Sequence, residues 1–195
     1  MKRFLKSILT SLDEPLFKPF VLWLWPGYRT SSKDYMPFYQ VLRMYFIPQK
    51  ILRINGGVPW PVDYRSKVIN WRMIEKGNFS EPGDNPGTYI NASGGLKMGN
   101  NVLMGPNVII ATTNHYKYDH SKTSNTKGVT IGNNVWIGGN VSIVAGTEIG
   151  DNVTIGAGCY IRGKIPSNST VMVDSNGLKI IPKSRDFEVD VTAGK

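Results

Sequence analysis

Cysteine and histidine are nearly absent from this 195-residue chain, which has one Cys and two His. Cys159 alone excludes an intramolecular disulfide and fits a reducing compartment. Its place inside a repeat reads as a small core filler. His115 and His120 have no third histidine to complete a three-histidine zinc site, so no metal is expected. Long apolar runs are also missing. The uncharged stretch "PFVLWLWPGY", residues 19–28, is well short of the ~20 residues that cross a bilayer. It lies too far along the chain, and lacks the small-residue cleavage site, to read as a signal peptide. The formal charge is +9, but no nucleic-acid-binding module signature accompanies it, so no nucleic-acid partner is expected.

Acidic residues are scarce in one part of the chain only. Residues 1–76 contain 13 Lys/Arg against 5 Asp/Glu, and the remaining 119 residues contain 10 against 9. Trp23, Trp25, Trp60 and Trp71 fall in the same basic front. A basic, aromatic front invites two expectations. Trp23 and Trp25, flanked by Lys18 and Arg29, are suited to peripheral contact with anionic lipid. Alternatively, the apolar run packs on the first turn of the Gly-rich body and closes an exposed edge.

That body is built on a repeat. From residue 131 the chain divides into sixes: "IGNNVW", "IGGNVS", "IVAGTE", "IGDNVT", "IGAGCY", "IRGKIP". Isoleucine opens each at 131, 137, 143, 149, 155 and 161, and the fifth position holds Val135, Val141, Thr147, Val153, Cys159 and Ile165. The same phase runs upstream from Met98, Met104 and Ile110. Period six is neither helical nor simple strand alternation; it suits short equal strands separated by turns, the signature of a parallel β-helix. The first residue should point into a central stack, while Gly, Asn and Asp behind it permit tight turns. The outward positions (Asn134, Trp136, Ser142, Glu148, Thr154, Tyr160) form no uniform ladder, which argues against a purely architectural solenoid.

The stretch "TTNHYKYDHSKTSNTKG", residues 112–128, breaks the rhythm and holds both histidines. Counting in sixes from Ile110 misses Ile131 by three residues. Residues of about 114–128 are therefore an excursion that leaves the repeat and re-enters in register, and loops on rigid scaffolds commonly carry function. The expected fold is mainly β: a β-helix of hexapeptide repeats over 77–182 with one protruding loop, a partly helical N-terminal segment over 1–76, and a C-terminal tail over 183–195.

The hexads, the Asn-His before the loop and the "WIGGN" after it resemble the left-handed parallel β-helix acyltransferases, nearest the galactoside, maltose and surface-polysaccharide O-acetyltransferases. The resemblance covers roughly residues 86–166, and "VPWPVDYRS", residues 58–66, is similar to an element of the polysaccharide-modifying subgroup. It implies a homotrimer, acetyl-CoA bound between neighbouring β-helices, and direct acetyl transfer to a hydroxyl of a sugar or glycan acceptor; a cytoplasmic setting is expected because nothing in the residues marks the chain for export. By that resemblance His115 is the catalytic base, and Gly139 and Ala157 line the CoA arm. Trp136 is expected in the groove wall or a trimer contact, since an outward indole needs cover. Arg162 stands where relatives often carry a Thr-Lys pair, and Lys179, in "DSNGLK", is a candidate partner for a CoA phosphate. Asn85, Asn91 and Asp119 are candidate acceptor contacts, with His120 a loop residue. Xenobiotic or serine-type acetyl transfer, and a non-catalytic scaffold, are the alternative readings.

Overall fold

The computed structural model describes residues 2–29, 36–124, 127–174 and 177–182, with side chains described from Lys6 and not for 178–179. The tail from 183 onward lies outside the described residues.

A triangular solenoid forms because each hexad supplies one short strand and one corner. The first coil holds β1 (Lys67–Ile69) and β2 (Ile74–Lys76), and the second β3 (Tyr89–Asn91), β4 (Leu96–Met98) and β5 (Val102–Met104). The third begins with β6 (Ile109–Ala111), throws out a hairpin of β7 (His115–Tyr116) and β8 (Asp119–Thr123), and resumes with β9 (Val129–Ile131) and β10 (Val135–Ile137). Next come β11 (Ser142–Val144), β12 (Glu148–Ile149) and β13 (Val153–Ile155), then β14 (Tyr160–Ile161), β15 (Lys164–Ile165) and β16 (Ser169–Asp174). Finally β17 (Gly177–Pro182) folds back antiparallel on β16.

Every third strand stacks in parallel on the one a coil below. This gives a first face of β1-β3-β6-β11-β14, a second of β2-β4-β9-β12-β15 and a third of β5-β10-β13-β16-β17. The first coil starts ten residues before the boundary expected at 77, because Lys67–Ile69 pairs with Tyr89–Asn91. Neither strand of that coil opens with the Ile-Gly pair that marks the later hexads, which is why the pattern concealed it.

The six repeat isoleucines and the six fifth-position residues, Cys159 included, are all buried. Each buried aliphatic side chain stabilises the stack by about 1.5–3 kcal/mol. The corners explain the other letters. Asn101, Asn107, Asn134, Asn140 and Asn152 share the fourth hexad position and have φ between 55° and 58°, a left-handed conformation that asparagine tolerates better than most L-residues. Their amides also bond coil to coil, as Asn101 Nδ2 donates to Asn134 Oδ1 at 3.1 Å. The second position needs glycine for a different reason: a Cβ on Gly138 would meet the Ala157 nitrogen at 2.6 Å.

The front is helical: α1 (Lys2–Ser11), a π-turn (Asp13–Phe17), α2 (Lys18–Leu24), α3 (Phe38–Tyr45) and a second π-turn (Phe46–Ile51). Its own core gathers Val21, Trp25, Tyr28, Phe38, Val41 and Tyr45. The buried Asp13 carboxylate caps α3 by accepting from the Phe38 and Tyr39 amides at 3.1 and 2.9 Å, where Pro37 offers no capping side chain. Gln49, fully buried, welds this module to the solenoid. Its Oε1 accepts from Trp25 Nε1 at 2.9 Å and from Val62 N at 3.0 Å, and its Nε2 donates to the Trp60 carbonyl at 2.9 Å. Trp25 is therefore 0% exposed and is removed from the lipid-facing role expected of it, whereas Trp23 is 74% exposed. The front meets the segment 58–62 that leads into the first coil, and its apolar core stays a cluster of its own.

Candidate active site

The excursion is anchored at the corner between the first and second faces. Thr112, buried just past β6, bonds to the coil below: its N and Oγ1 donate to the Asn91 carbonyl at 3.0 and 2.9 Å. Its Oγ1 also accepts from Gly94 N at 2.8 Å. The hairpin is closed at its base by Ser124, whose N and Oγ donate to the Asn114 carbonyl at 2.8 and 3.1 Å. Re-entry is fixed where Gly146 N reaches the Lys127 and Gly128 carbonyls at 2.7 and 2.9 Å.

His115 stands exposed on β7. Its Nδ1 lies 2.6 Å from the carbonyl oxygen of His120 on β8. A carbonyl only accepts, so Nδ1 carries the proton and donates, and in the neutral ring Nε2 is left as the acceptor. The two imidazole centroids are 6.3 Å apart. His120 thus acts through its backbone, a role invisible to any motif. Asp119 does not reach His115. Its carboxylate accepts from Ser121 Oγ at 2.6 Å and Ser121 N at 3.1 Å and pairs with Lys122 at 3.0 Å. The Ser121 hydroxyl bond first, and Lys122 next, hold its carboxyl below the usual aspartate range.

The other expected residues divide between two corners. Asn91 sits below the loop's exit, in register with Ala111. Its Oδ1 accepts from Ser93 Oγ and N at 2.6 and 3.1 Å, and Asn70 Nδ2 donates to Ser93 Oγ at 2.6 Å. Of this cluster the sequence singled out Asn91 alone; Asn70 comes from the coil below, 23 residues before Ser93, and no motif links the two. Arg162, exposed, comes just after β14 on the same corner, two coils beyond the loop's exit at β6. Flanking the loop's re-entry on the second face is a cleft of about 370 Å³, lined by Arg72, Lys97, Lys127, Thr130, Gly146 and Glu148 among others.

Trp136, Gly139 and Ala157 lie elsewhere. Trp136 is 47% exposed on the third face, in register with Leu103 and Thr154. Gly139 and Ala157 come after β10 and β13 at the corner between the third and first faces. Lys179 sits on β17 opposite Met172, at the outer edge of the third face. Asn85 joins this side too, since its Nδ2 donates to the Met104 carbonyl at 2.7 Å at the end of β5. One chain therefore keeps the histidine hairpin and the CoA candidates Trp136, Gly139 and Ala157 on separate edges of the prism. Among the described residues no cluster of three or more His, Cys, Asp or Glu could hold a metal ion.

The outward columns differ by face. The second carries Glu75–Lys97 and Glu148–Lys164 pairs at 3.3 and 3.1 Å, while the first exposes Tyr89, Ile109 and Tyr160 and the third Leu103 and Trp136. One face is charged and two carry uncovered apolar surface.

The structure is thus a parallel β-helix of hexads interrupted by a corner hairpin with His115 at its foot. Residues 128–163 match the family described as bacterial transferase hexapeptide (six repeats). The chain is 43% identical over 76 residues to the galactoside O-acetyltransferase of Escherichia coli (strain K12), covering 37% of each chain. It is 42% identical over 74 residues to the galactoside O-acetyltransferase of Lactococcus lactis subsp. lactis (strain IL1403), covering 36% of each. The chain spans little more than a third of the length of these relatives. A hexapeptide-repeat-containing acetyltransferase of Vibrio cholerae O1 biovar eltor, solved with acetyl coenzyme A, superposes with a TM-score of 0.51 at 18% identity, over 76% of this chain and 87% of that one. The fold is thereby the left-handed parallel β-helix.

Proposed function

We propose that the protein is an acetyl-CoA-dependent O-acetyltransferase acting on a hydroxyl of a sugar or glycan. The observation that carries this reading is His115 at the foot of the corner hairpin, with Nδ1 engaged by the His120 carbonyl and Nε2 left to accept a proton. Nε2 takes the proton of the acceptor hydroxyl as the oxygen attacks the thioester carbonyl carbon. The carbon–sulfur bond then breaks, and the imidazolium returns the proton to the departing CoA sulfur. Atoms and charge balance without an acyl-enzyme. The galactoside-acetylating relatives support a sugar acceptor, and the CoA partner of the Vibrio protein supports the donor.

In this reading Trp136, Gly139 and Ala157 line the groove for the CoA arm, with Lys179 and Arg162 near its phosphates. Asn91 and Asp119 face the acceptor, and Asn85 belongs to the third-face wall. The separation of hairpin and groove within one chain supports a homotrimer in which one subunit's hairpin meets a neighbour's third face; a heterologous contact used three times closes the ring. The apolar columns of the first and third faces are the surfaces such an assembly would cover. The setting is cytoplasmic, with the basic front toward the inner face of the membrane.

The test is release of free CoA thiol from acetyl-CoA against a panel of galactosides, maltose, amino acids and lipid-linked oligosaccharides. Release is expected with a saccharide and not with serine. Equal rates with and without every saccharide would overturn the reading. Light scattering tests the assembly: wild type should have three times the chain mass, and Trp136→Asp should shift toward monomer.

A further inference from the structure

The helical front keeps a core of its own and still leaves apolar side chains outside it. Ile8, Leu12, Leu16 and Phe20 recur every four residues, and all are exposed. The Leu12 amide donates to the Ile8 carbonyl at 3.1 Å and the Leu16 amide to the Leu12 carbonyl at 3.0 Å, so these residues stack turn over turn as one stripe. Trp23 extends it, its ring stacked on Phe20 with centroids 5.8 Å apart. A second stripe of Met44, Ile47 and Ile51 runs from α3 into the second π-turn and is exposed as well. Phe20 joins the two, its ring centroid 6.4 Å from that of Phe46. Among the described residues nothing covers these stripes, and contiguous exposed apolar side chains mark contact sites.

The surrounding charge is predominantly positive, although Glu14, exposed within the first stripe, pairs with Lys18 at 2.8 Å. Between Pro15 and Lys33, and again between Tyr35 and Val62, the sequence contains no Asp or Glu. Lys18, Arg43 and Arg53 are exposed in those spans, and Lys50 lies 4.8 Å from the Trp25 ring centroid. A second copy of the same front would bring like charges together, which opposes self-association. An anionic bilayer surface answers both features, taking the apolar stripe at the acyl boundary and the cations at the headgroups.

We infer that the Ile8–Trp23 stripe and the Met44–Ile51 stripe together form a docking surface for an anionic lipid bilayer, on which the chain lies without crossing it. Among the described residues no helix is long and apolar enough to cross a membrane. The surface differs from the one the sequence suggested, because Trp25 is inside and the stripe begins well before residue 19.

The test floats the full chain with vesicles of phosphatidylglycerol and phosphatidylethanolamine, beside pure phosphatidylcholine. Wild type should float with the anionic vesicles at low salt, and the triple variant Leu16→Glu, Trp23→Glu, Ile51→Glu should bind about tenfold or more weakly. Its mass by light scattering and its thiol-release activity should be unchanged, which separates this inference from the acetyl-transfer reading. Wild type that stays unbound, a triple variant that binds equally, or one that loses oligomer mass because a second copy covers the stripe, would each overturn it. Should the triple variant not fold, brominated lipid read against Trp23→Phe decides: quenching of wild-type fluorescence should fall in that variant, and unchanged quenching overturns the inference.

Discussion

The solenoid and the helical front solve the problem of burial in opposite ways. In the solenoid a six-residue rule repeats, so each coil buries its isoleucine on the one below and the interior needs few polar partners. The front has no repeat. Its core is six aromatic and aliphatic residues held in place by a capping carboxylate, Asp13, and an amide, Gln49, each buried and each fully occupied. Repetition gives a stack that tolerates a missing letter, whereas a unique network depends on particular atoms. The histidine hairpin is the place where the solenoid abandons its rule, and chemistry is possible there because the coils on either side stay rigid.

The largest effect should come from that break. His115→Ala is expected to lower kcat by roughly 10²–10⁴-fold while the KM for acetyl-CoA stays near wild type. A variant within twofold of wild type would remove His115 from the mechanism. Because His115 is held through the His120 carbonyl, His120→Ala should retain most activity, and a loss as deep as that of His115→Ala would give the second imidazole a side-chain role.

The next effect lies in the solenoid. Ile143→Ala opens a cavity in the fully buried stack and should cost about 2–5 kcal/mol, read as a fall in melting temperature. A shift near zero would mean that neighbouring coils collapse into the gap. At the junction, Gln49→Leu strands the buried Trp25 indole N–H and the Trp60 carbonyl, for about 1–3 kcal/mol. This change should loosen the front before the solenoid, so near-ultraviolet tryptophan signals should melt ahead of the far-ultraviolet β signal. A single coincident transition would erase the contrast between the two regions.

The smallest effect concerns one corner. Asn140→Ala places a methyl side chain at φ 57° and should cost about 1–2 kcal/mol. Asn140→Gly should cost less, since glycine adopts that conformation freely. Equal melting temperatures for the two variants would show that backbone strain is not what selects asparagine there.

The fold was legible because its cause is local and repeated. Hexad spacing set the inward residues, Asn and Gly marked the corners, and the frame slip after Ile110 located the excursion. The hairpin within it was not legible, since "HYKYDHSKT" has no strand alternation and is paired by backbone bonds that no residue type announces. Asp119 could be singled out as a carboxylate near a histidine, but only the structure turned it toward Ser121 and Lys122. Asn85 and Asn91, six residues apart, read as companions; the chain passes through a corner between them, so they belong to different edges.

Periodicity, the uneven charge and the two histidines at the break were determined by the sequence alone, because each depends only on order along the chain. Tertiary structure decided which aromatic rings are inside, which nitrogen of His115 holds its proton, and which coils meet at a corner. Those outcomes depend on atoms far apart in sequence: Trp25 is hidden by Gln49, 24 residues on, while Trp23, two residues away and chemically the same, is left in the open.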